Sequence, residues 1–171
     1  MTVFVALLRA INVGGRKLLM SDLHGIAAGL GFERARTYIA SGNLLLSTGL
    51  EESQVKPMLE ARLAEHMGAA VPVIVRTGAE LERVVANNPF TSDPGNRVVA
   101  IFLDSPPPTD AVENARNIAD ERIALGNREV YVAYSQNGMA GSRLRIPGAE
   151  AGTARNMNTV ARLAGLAKEM A

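Results

Sequence analysis

Two runs of six apolar residues, Val3–Leu8 and Val98–Leu103, constrain the fold more than any other feature of the chain. Uninterrupted apolar runs of this length are typical of strands that are buried inside a protein. The chain has 171 residues, which suffices for one well-filled core or for two small units that share one. We therefore expect each run to form a buried strand.

The residues after the first run predict a helix, two strands, a helix and a strand. Ser21 or Asp22 can cap a helix that ends at Gly31, and extended runs at 36–40 and 43–47 flank a turn-forming Ser-Gly pair. A second helix opens at Ser53 and ends at Gly68, and a strand follows at 71–76. This βαββαβ order is the ferredoxin-like arrangement.

The second half predicts a similar but incomplete unit. Thr77 and Glu80 have the capping-box spacing and open a helix. After the strand at 98–103, the pattern predicts a helix from Thr109 to about Ala119, strands at 122–125 and 129–134, a short edge strand at 143–146 and a C-terminal helix. We expect an α+β fold with a ferredoxin-like half at 1–77 and a second, incomplete α+β half at 78–171.

Composition excludes several classes of function. The net charge of +1 gives no overall field for nucleic acid or a membrane, and aromatic residues, at 4%, are too few for a base-stacking platform. The chain has no cysteine, which excludes disulfides and thiolate metal sites. No apolar stretch approaches the ~20 residues of a membrane span, and the N-terminus does not resemble a signal peptide. We expect a cytoplasmic protein without a membrane partner. The composition does not favour nucleic acid, which stays an alternative on fold analogy alone, and the oligomeric state stays open.

The search for catalytic chemistry leaves the question of an enzyme open. His24 and His66 lie in predicted helices, and neither has a nucleophile or an orienting group nearby in the sequence. The chain has no clustered metal-ligand motif and no phosphate-binding glycine loop. We therefore expect no metal and no cofactor.

Three polar groups are the candidate binding residues. The first follows the apolar strand, where glycines and an arginine can hold an anion; the second is the turn between the middle strands; the third precedes the last helix. Each also has a purely structural interpretation: an arginine paired with a core carboxylate, a turn that bonds its own backbone, and a helix cap made by Thr153 or Asn156. The candidates are Arg9, Asn12, Gly14, Gly15, Ser41, Gly42, Asn43, Arg155, Asn156 and Asn158.

The motifs ALLRAINVGG, RTYIASGNLLLS, NNPF and RNMNTVARL together resemble the DUF1697 family of uncharacterised bacterial proteins. The resemblance covers nearly the whole chain and implies an α+β fold, but the family has no established activity. Family members usually have a tryptophan where this chain has Met157, which argues against an aromatic platform at that position. Besides the ten candidates, the family pattern includes Asn88, Pro89, Phe90 and Thr159.

These observations favour a protein that binds a small anionic ligand, with a phosphate or carboxylate held in a cleft by Arg9, Asn12, Asn43 and Arg155. One alternative is an enzyme that uses the same cleft, with Ser41 or a carboxylate as the reacting group. Another is a protein–protein interaction module that pairs a partner strand with an exposed sheet edge.

Overall fold

The structure is a computed structural model and describes residues 1–9, 17–39 and 42–171. The described residues contain eight strands and four α-helices. They group into two compact units: unit 1 comprises Met1–Leu81 and Leu163–Ala171, and unit 2 comprises Glu82–Arg162.

Unit 1 is built on a four-stranded antiparallel sheet with the order β2-β3-β1-β4. The elements follow one another in the predicted βαββαβ order. Their bounds are β1 Thr2–Leu8, α1 Met20–Gly29, β2 Glu33–Thr37, β3 Asn43–Thr48, α2 Glu52–Met67 and β4 Val73–Thr77, after which α3 begins and spans Gly78–Ala86.

One face of this sheet forms the hydrophobic core of unit 1 with the two helices. Alternate residues of β1 (Phe4, Ala6 and Leu8) point to the same face, because successive side chains of a strand alternate between faces. Leu59 and Leu63 of α2 are completely buried in the same core. Val5 and Leu7, on the opposite face of β1, are buried too, as an uninterrupted apolar run predicts.

The ends of these elements partly agree with the sequence. The left-handed C-cap at Gly68 and the Thr77–Glu80 capping box are confirmed, with reciprocal hydrogen bonds of 2.9 and 3.1 Å in the box. The predicted starts of the two helices were wrong: α1 begins at Met20 without a side-chain cap, and the capping box of α2 is made by Glu51 and Gln54. The second strand lies at Glu33–Thr37, three residues before the predicted run.

The outer strand β4 is fastened to α2 through its first residue. The backbone N–H of Val73 donates to Glu60 Oε2 at 2.9 Å, and the Lys56 ammonium donates to the Val73 carbonyl. Lys56 and Glu60 also form an ion pair with a nitrogen–oxygen distance of 3.1 Å. Both main-chain groups of Val73 therefore have side-chain partners.

Unit 2 contains a second four-stranded antiparallel sheet, with the order β6-β7-β5-β8. Short 3₁₀ turns lie at Gly95–Arg97, Met139–Gly141 and Pro147–Ala149. The bounds are β5 Val98–Phe102, β6 Arg122–Leu125, β7 Glu129–Ala133 and β8 Thr153–Asn156, and α4 follows at Met157–Met170.

Three predictions for unit 2 were wrong. The predicted helix from Thr109 to Ala119 is a series of turns, because the Arg116 N–H donates to the Arg145 carbonyl at 2.8 Å instead of closing a helical turn. The predicted strand at 143–146 is reduced to this one bridge. Conversely, β8 is a strand that pairs with β5, where the sequence predicts only the polar start of the last helix.

The core of unit 2 is closed by these irregular segments. Leu103, Val130 and Val132 from the sheet pack with Ala111 of the turn segment and with Ile146 and Ala149.

The end of α4, from Leu163, groups with unit 1. The predicted division into domains at 1–77 and 78–171 stays a prediction. The Arg34 guanidinium donates to the Met170 carbonyl, and Arg36 forms a long ion pair of 3.9 Å with Glu169. A Cβ atom at Gly78 would lie 2.9 Å from the Cβ of Ala167, so the start of α3 needs a glycine at this crossing.

Candidate functional site

The first candidate group lies at the edge of unit 1 where β1 ends. Arg9 follows β1 directly and is partly exposed. Its backbone N–H donates a 3.0 Å hydrogen bond to the Pro72 carbonyl. On the other side, the Leu8 N–H donates to the Gly42 carbonyl at 2.9 Å, and Leu7 lies opposite Asn43 in the sheet. The structure therefore brings Arg9, Gly42 and Asn43 to the same end of the sheet, where β1 finishes and β3 begins.

Asn43 anchors the turn between β2 and β3. It is completely buried, and its Nδ2 donates to the Tyr38 carbonyl at 2.8 Å, while the Tyr38 N–H donates to the Asn43 carbonyl at 3.0 Å. This is the backbone-bonding interpretation of the turn. Ile39, inside the turn, has a φ of 49°, which is a strained conformation for a β-branched residue.

The other predicted residues of these two groups, Asn12, Gly14, Gly15 and Ser41, lie outside the described residues.

The third candidate group belongs to unit 2. Arg155 is 8% exposed on β8, opposite Ala100, and its Nη1 donates to the carbonyl of the preceding residue at 2.9 Å. Burial lowers the pKa of Arg155 to about 10, so its guanidinium remains protonated at neutral pH. The predicted cleft that joins this residue to Arg9, Asn12 and Asn43 stays a prediction.

Asn156 and Asn158 have structural roles at the start of α4. The Thr159 N–H donates to Asn156 Oδ1 at 2.9 Å, which caps the helix as the structural interpretation predicts. The Asn158 side chain lies against the backbone of Gly95, where an added Cβ would come within 2.2 Å of Asn158 Oδ1.

The Phe90 motif is also held by local contacts. The Phe90 N–H donates to Asn88 Oδ1 at 2.9 Å, and the Arg122 guanidinium lies 5.0 Å from the centre of the Phe90 ring. These contacts give the NNPF motif a structural role.

The end of β1 in unit 1 and the end of β5 in unit 2 are structurally equivalent. In unit 2 the Leu103 N–H donates to the Arg128 carbonyl at 2.8 Å, as Leu8 does to Gly42 in unit 1. Glu129 occupies the position of Asn43, opposite Phe102, and its carboxylate accepts from the amides of Asn127 and Arg128.

The residue that follows each central run differs in charge. Arg9 follows Leu8 in unit 1, whereas Asp104 follows Leu103 in unit 2. The same sheet edge therefore carries a cation in one unit and an anion in the other.

A cavity of about 510 Å³ lies in unit 2, lined by residues from two irregular segments, 117–121 and 134–143. Glu121 is 8% exposed in its wall. The carboxylate accepts from the Ser142 hydroxyl at 2.5 Å and from the amides of Ala119 and Asp120 at 3.0 Å. These hydrogen bonds, above all the one from Ser142, lower the pKa of Glu121 to about 2.

The described part of the chain contains neither a cluster of metal ligands nor a membrane-spanning helix. Within residues 1–9, 17–39 and 42–171, no three His, Asp or Glu side chains are grouped closely enough to hold a metal ion. In those ranges no helix combines the length and apolar character needed to cross a membrane.

A family model described as "Protein of unknown function (DUF1697)" matches residues 1–131 of the chain. The chain belongs to the DUF1697 family. Among solved structures, a conserved bacterial protein from Streptococcus pneumoniae is similar, with a TM-score of 0.78 and 23% sequence identity. The alignment covers 97% of this chain and 98% of that one, and at this identity it shows a shared fold. No curated protein matches the chain.

Sequence reasoning overlooked one buried cation of this DUF1697 chain. Arg76 on β4 is 2% exposed, lies opposite Val5, and donates through Nη1 to the carbonyl of the preceding residue at 3.0 Å. Arg155 holds the equivalent position in unit 2 and makes the equivalent hydrogen bond. An arginine one residue before a helix cap, in both VRTGAE and ARNMNT, is the sequence signal that relates them.

Proposed function

We propose that this DUF1697 chain binds a small anionic ligand, with a phosphate or carboxylate group, at the edge of unit 1 where β1 ends and β3 begins. Arg9 is the residue that would contact the anion, because a guanidinium can donate two parallel hydrogen bonds to either group. The glycines that follow it suit an anion-binding backbone. The remaining residues of the proposal are Asn12, Gly14, Gly15, Ser41, Gly42 and Asn43.

The difference in charge between the two equivalent edges carries the proposal. The sheet tolerates Asp104 after the central run of unit 2, so the fold does not require an arginine at the corresponding position of unit 1. The fold alone therefore does not explain why an arginine follows β1, and this supports a role in binding. The strained φ of Ile39 beside this edge supports the same interpretation, because strain is often retained where function requires it.

Arg155 is the second basic residue of the proposal. It is protonated at neutral pH despite its burial, and it directly precedes the cap of α4. Helix starts favour anions, so Arg155, Asn156 and Asn158 are tested as a separate group.

Thermal unfolding in the presence of inorganic phosphate, sulfate, citrate and nucleotides tests the proposal. An anion that binds only the folded chain, at a free concentration of about 100 times its Kd, adds about 2.7 kcal/mol to the free energy of unfolding. We expect Arg9→Gln to abolish this stabilisation. Arg62→Gln is the matched control, because Arg62 is a half-exposed arginine of the same unit at a distance in sequence from the candidate residues.

Stabilisation by no anion, or equal loss in the two variants, would contradict the proposal. An Arg155→Lys variant that weakens the same anion would add the third group to the binding residues. Chemical conversion of a bound compound, lost in Ser41→Ala, would favour the enzyme alternative. Absence of any anion effect together with strand-edge pairing to a protein partner would favour the interaction module.

A further inference from the structure

The cavity of unit 2 has the size of a ligand site. Its volume of about 510 Å³ lies within the range usual for pockets that hold small molecules, roughly 300–1,000 Å³. Its walls come from turns and a 3₁₀ segment, and Gly138 and Asn117 both have a positive φ there, of 66° and 59°.

Glu121 is a buried carboxylate that lacks a cation. Two backbone amides donate to Oε1 and the Ser142 hydroxyl donates to Oε2, and the backbone of Glu121 itself also contributes to lowering the pKa of the carboxyl group. Among the described residues, no lysine, arginine or histidine forms an ion pair with it. The hydrogen bonds keep Glu121 ionised at neutral pH, so the wall of the cavity carries a negative charge that no described side chain neutralises by an ion pair.

The other groups of the cavity suit a cation with an apolar stem. Tyr134 lines it, and burial together with the Glu121 charge raises the pKa of its phenol, which therefore stays neutral and can accept a hydrogen bond. Ile118 lines it and is 48% exposed, and Met139 in the adjoining turn is 49% exposed. Asp120 adds a second negative charge, against one positive charge from Arg143.

We propose that the cavity formed by residues 117–121 and 134–143 binds a small organic cation, a primary ammonium or guanidinium on a short apolar stem. Oε2 of Glu121 accepts the charged N–H, the Tyr134 hydroxyl accepts a second one, and the stem lies against Ile118. This site is separate from the anion site proposed for unit 1 and takes a ligand of the opposite charge.

Three probes of nearly equal shape, n-butylammonium, n-butanol and n-butyrate, test the charge requirement on the full chain. We expect an NMR titration with n-butylammonium to give saturable shifts of amide signals from 117–121 and 134–143. Butanol and butyrate should give none at the same concentrations. Equal binding of the three probes, or shifts spread over the whole chain, would overturn the proposal.

The variant Glu121→Gln tests the carboxylate. Its amide oxygen can still accept from the two backbone amides, so the loop retains its cap while the charge is removed. We expect n-butylammonium to bind about tenfold to hundredfold more weakly, the usual loss for a hydrogen bond to a charged group. Unchanged affinity in a variant whose other amide signals match the parent would overturn the proposal.

The variant Arg143→Ala is the control for charge within the cavity. Removing the one positive charge of the lining should leave n-butylammonium binding equal or tighter. Weaker binding would mean that the ammonium does not interact with the carboxylate as proposed, and would count against it.

Discussion

The two units share one strand order, yet they cover the equivalent face of the sheet with different material. In unit 1, α1 and α2 pack Leu23, Leu59 and Leu63 on that face. In unit 2, turns and 3₁₀ segments pack Ala111, Ile146 and Ala149 there, and the same segments line the cavity of about 510 Å³. The comparison teaches that the sheet order survives without helical cover, and that irregular cover leaves room for a ligand.

We expect the largest change in the free energy of unfolding from a substitution in the helices that cover the sheet of unit 1. Leu63→Ala should lower the free energy of unfolding by about 2–5 kcal/mol, because Leu63 is completely buried between α2 and the sheet. Urea denaturation followed by circular dichroism measures the loss. Ile146→Ala in unit 2 should lower the free energy of unfolding by less, about 2 kcal/mol, because irregular segments can collapse into the space. Equal losses of stability in the two variants would contradict the contrast between the helical cover of unit 1 and the irregular cover of unit 2.

We expect a smaller change in the free energy of unfolding from substitutions two residues before the buried arginines Arg76 and Arg155. This position is Ile74 in unit 1 and Thr153 in unit 2, opposite Leu7 and Phe102. Thr153 Oγ1 is buried and has no hydrogen-bond partner among the described residues. We expect Thr153→Val to raise the free energy of unfolding by about 1 kcal/mol, because it removes an unsatisfied hydroxyl at nearly constant volume.

The reciprocal change, Ile74→Thr, should lower the free energy of unfolding by about 1–3 kcal/mol, because it buries a hydroxyl in an apolar position. The same urea denaturation measures both variants. If Thr153→Val destabilises the protein, the threonine has a partner in solution, and the equivalence of the two positions fails.

The smallest effects are expected at the helix caps. Thr77→Ala and Asn156→Ala each remove a side-chain acceptor from a helix that follows the last strand of a sheet. Each should cost about 1 kcal/mol, whereas Thr77→Ser keeps the acceptor and should cost little. Differential scanning calorimetry measures the three variants. A much larger loss for Asn156→Ala would show that Asn156 does more than cap α4.

The strands and helices of unit 1 were largely predictable because their apolar spacing is regular. The run at Val3–Leu8 and the stripes of α1 and α2 bury most of the residues that the patterns select. Unit 2 was less predictable for two physical reasons. The segment 109–119 has only Ala111 fully buried, which is too little apolar surface to hold a helix on the sheet. The buried face of β8 carries Thr153 and Arg155, so the strand shows no apolar alternation.

The candidate site was predictable in part. The pairing of β1 with β3 follows from the βαββαβ order, and it brings Asn43 beside Leu7. The capping role of Asn156 follows from its place before an apolar helix. The cavity around Glu121 could not be predicted, because it depends on the spatial meeting of two irregular segments whose sequences carry no periodic signal.

The contacts of Val73 have a consequence for the behaviour of the protein at high concentration. An outer strand usually offers unpaired N–H and C=O groups on which a strand from another molecule can dock. The side chains of Glu60 and Lys56 already occupy both groups of Val73. Any extension of the sheet of unit 1 beyond the start of β4 must first displace a charged pair, which protects this edge against aggregation.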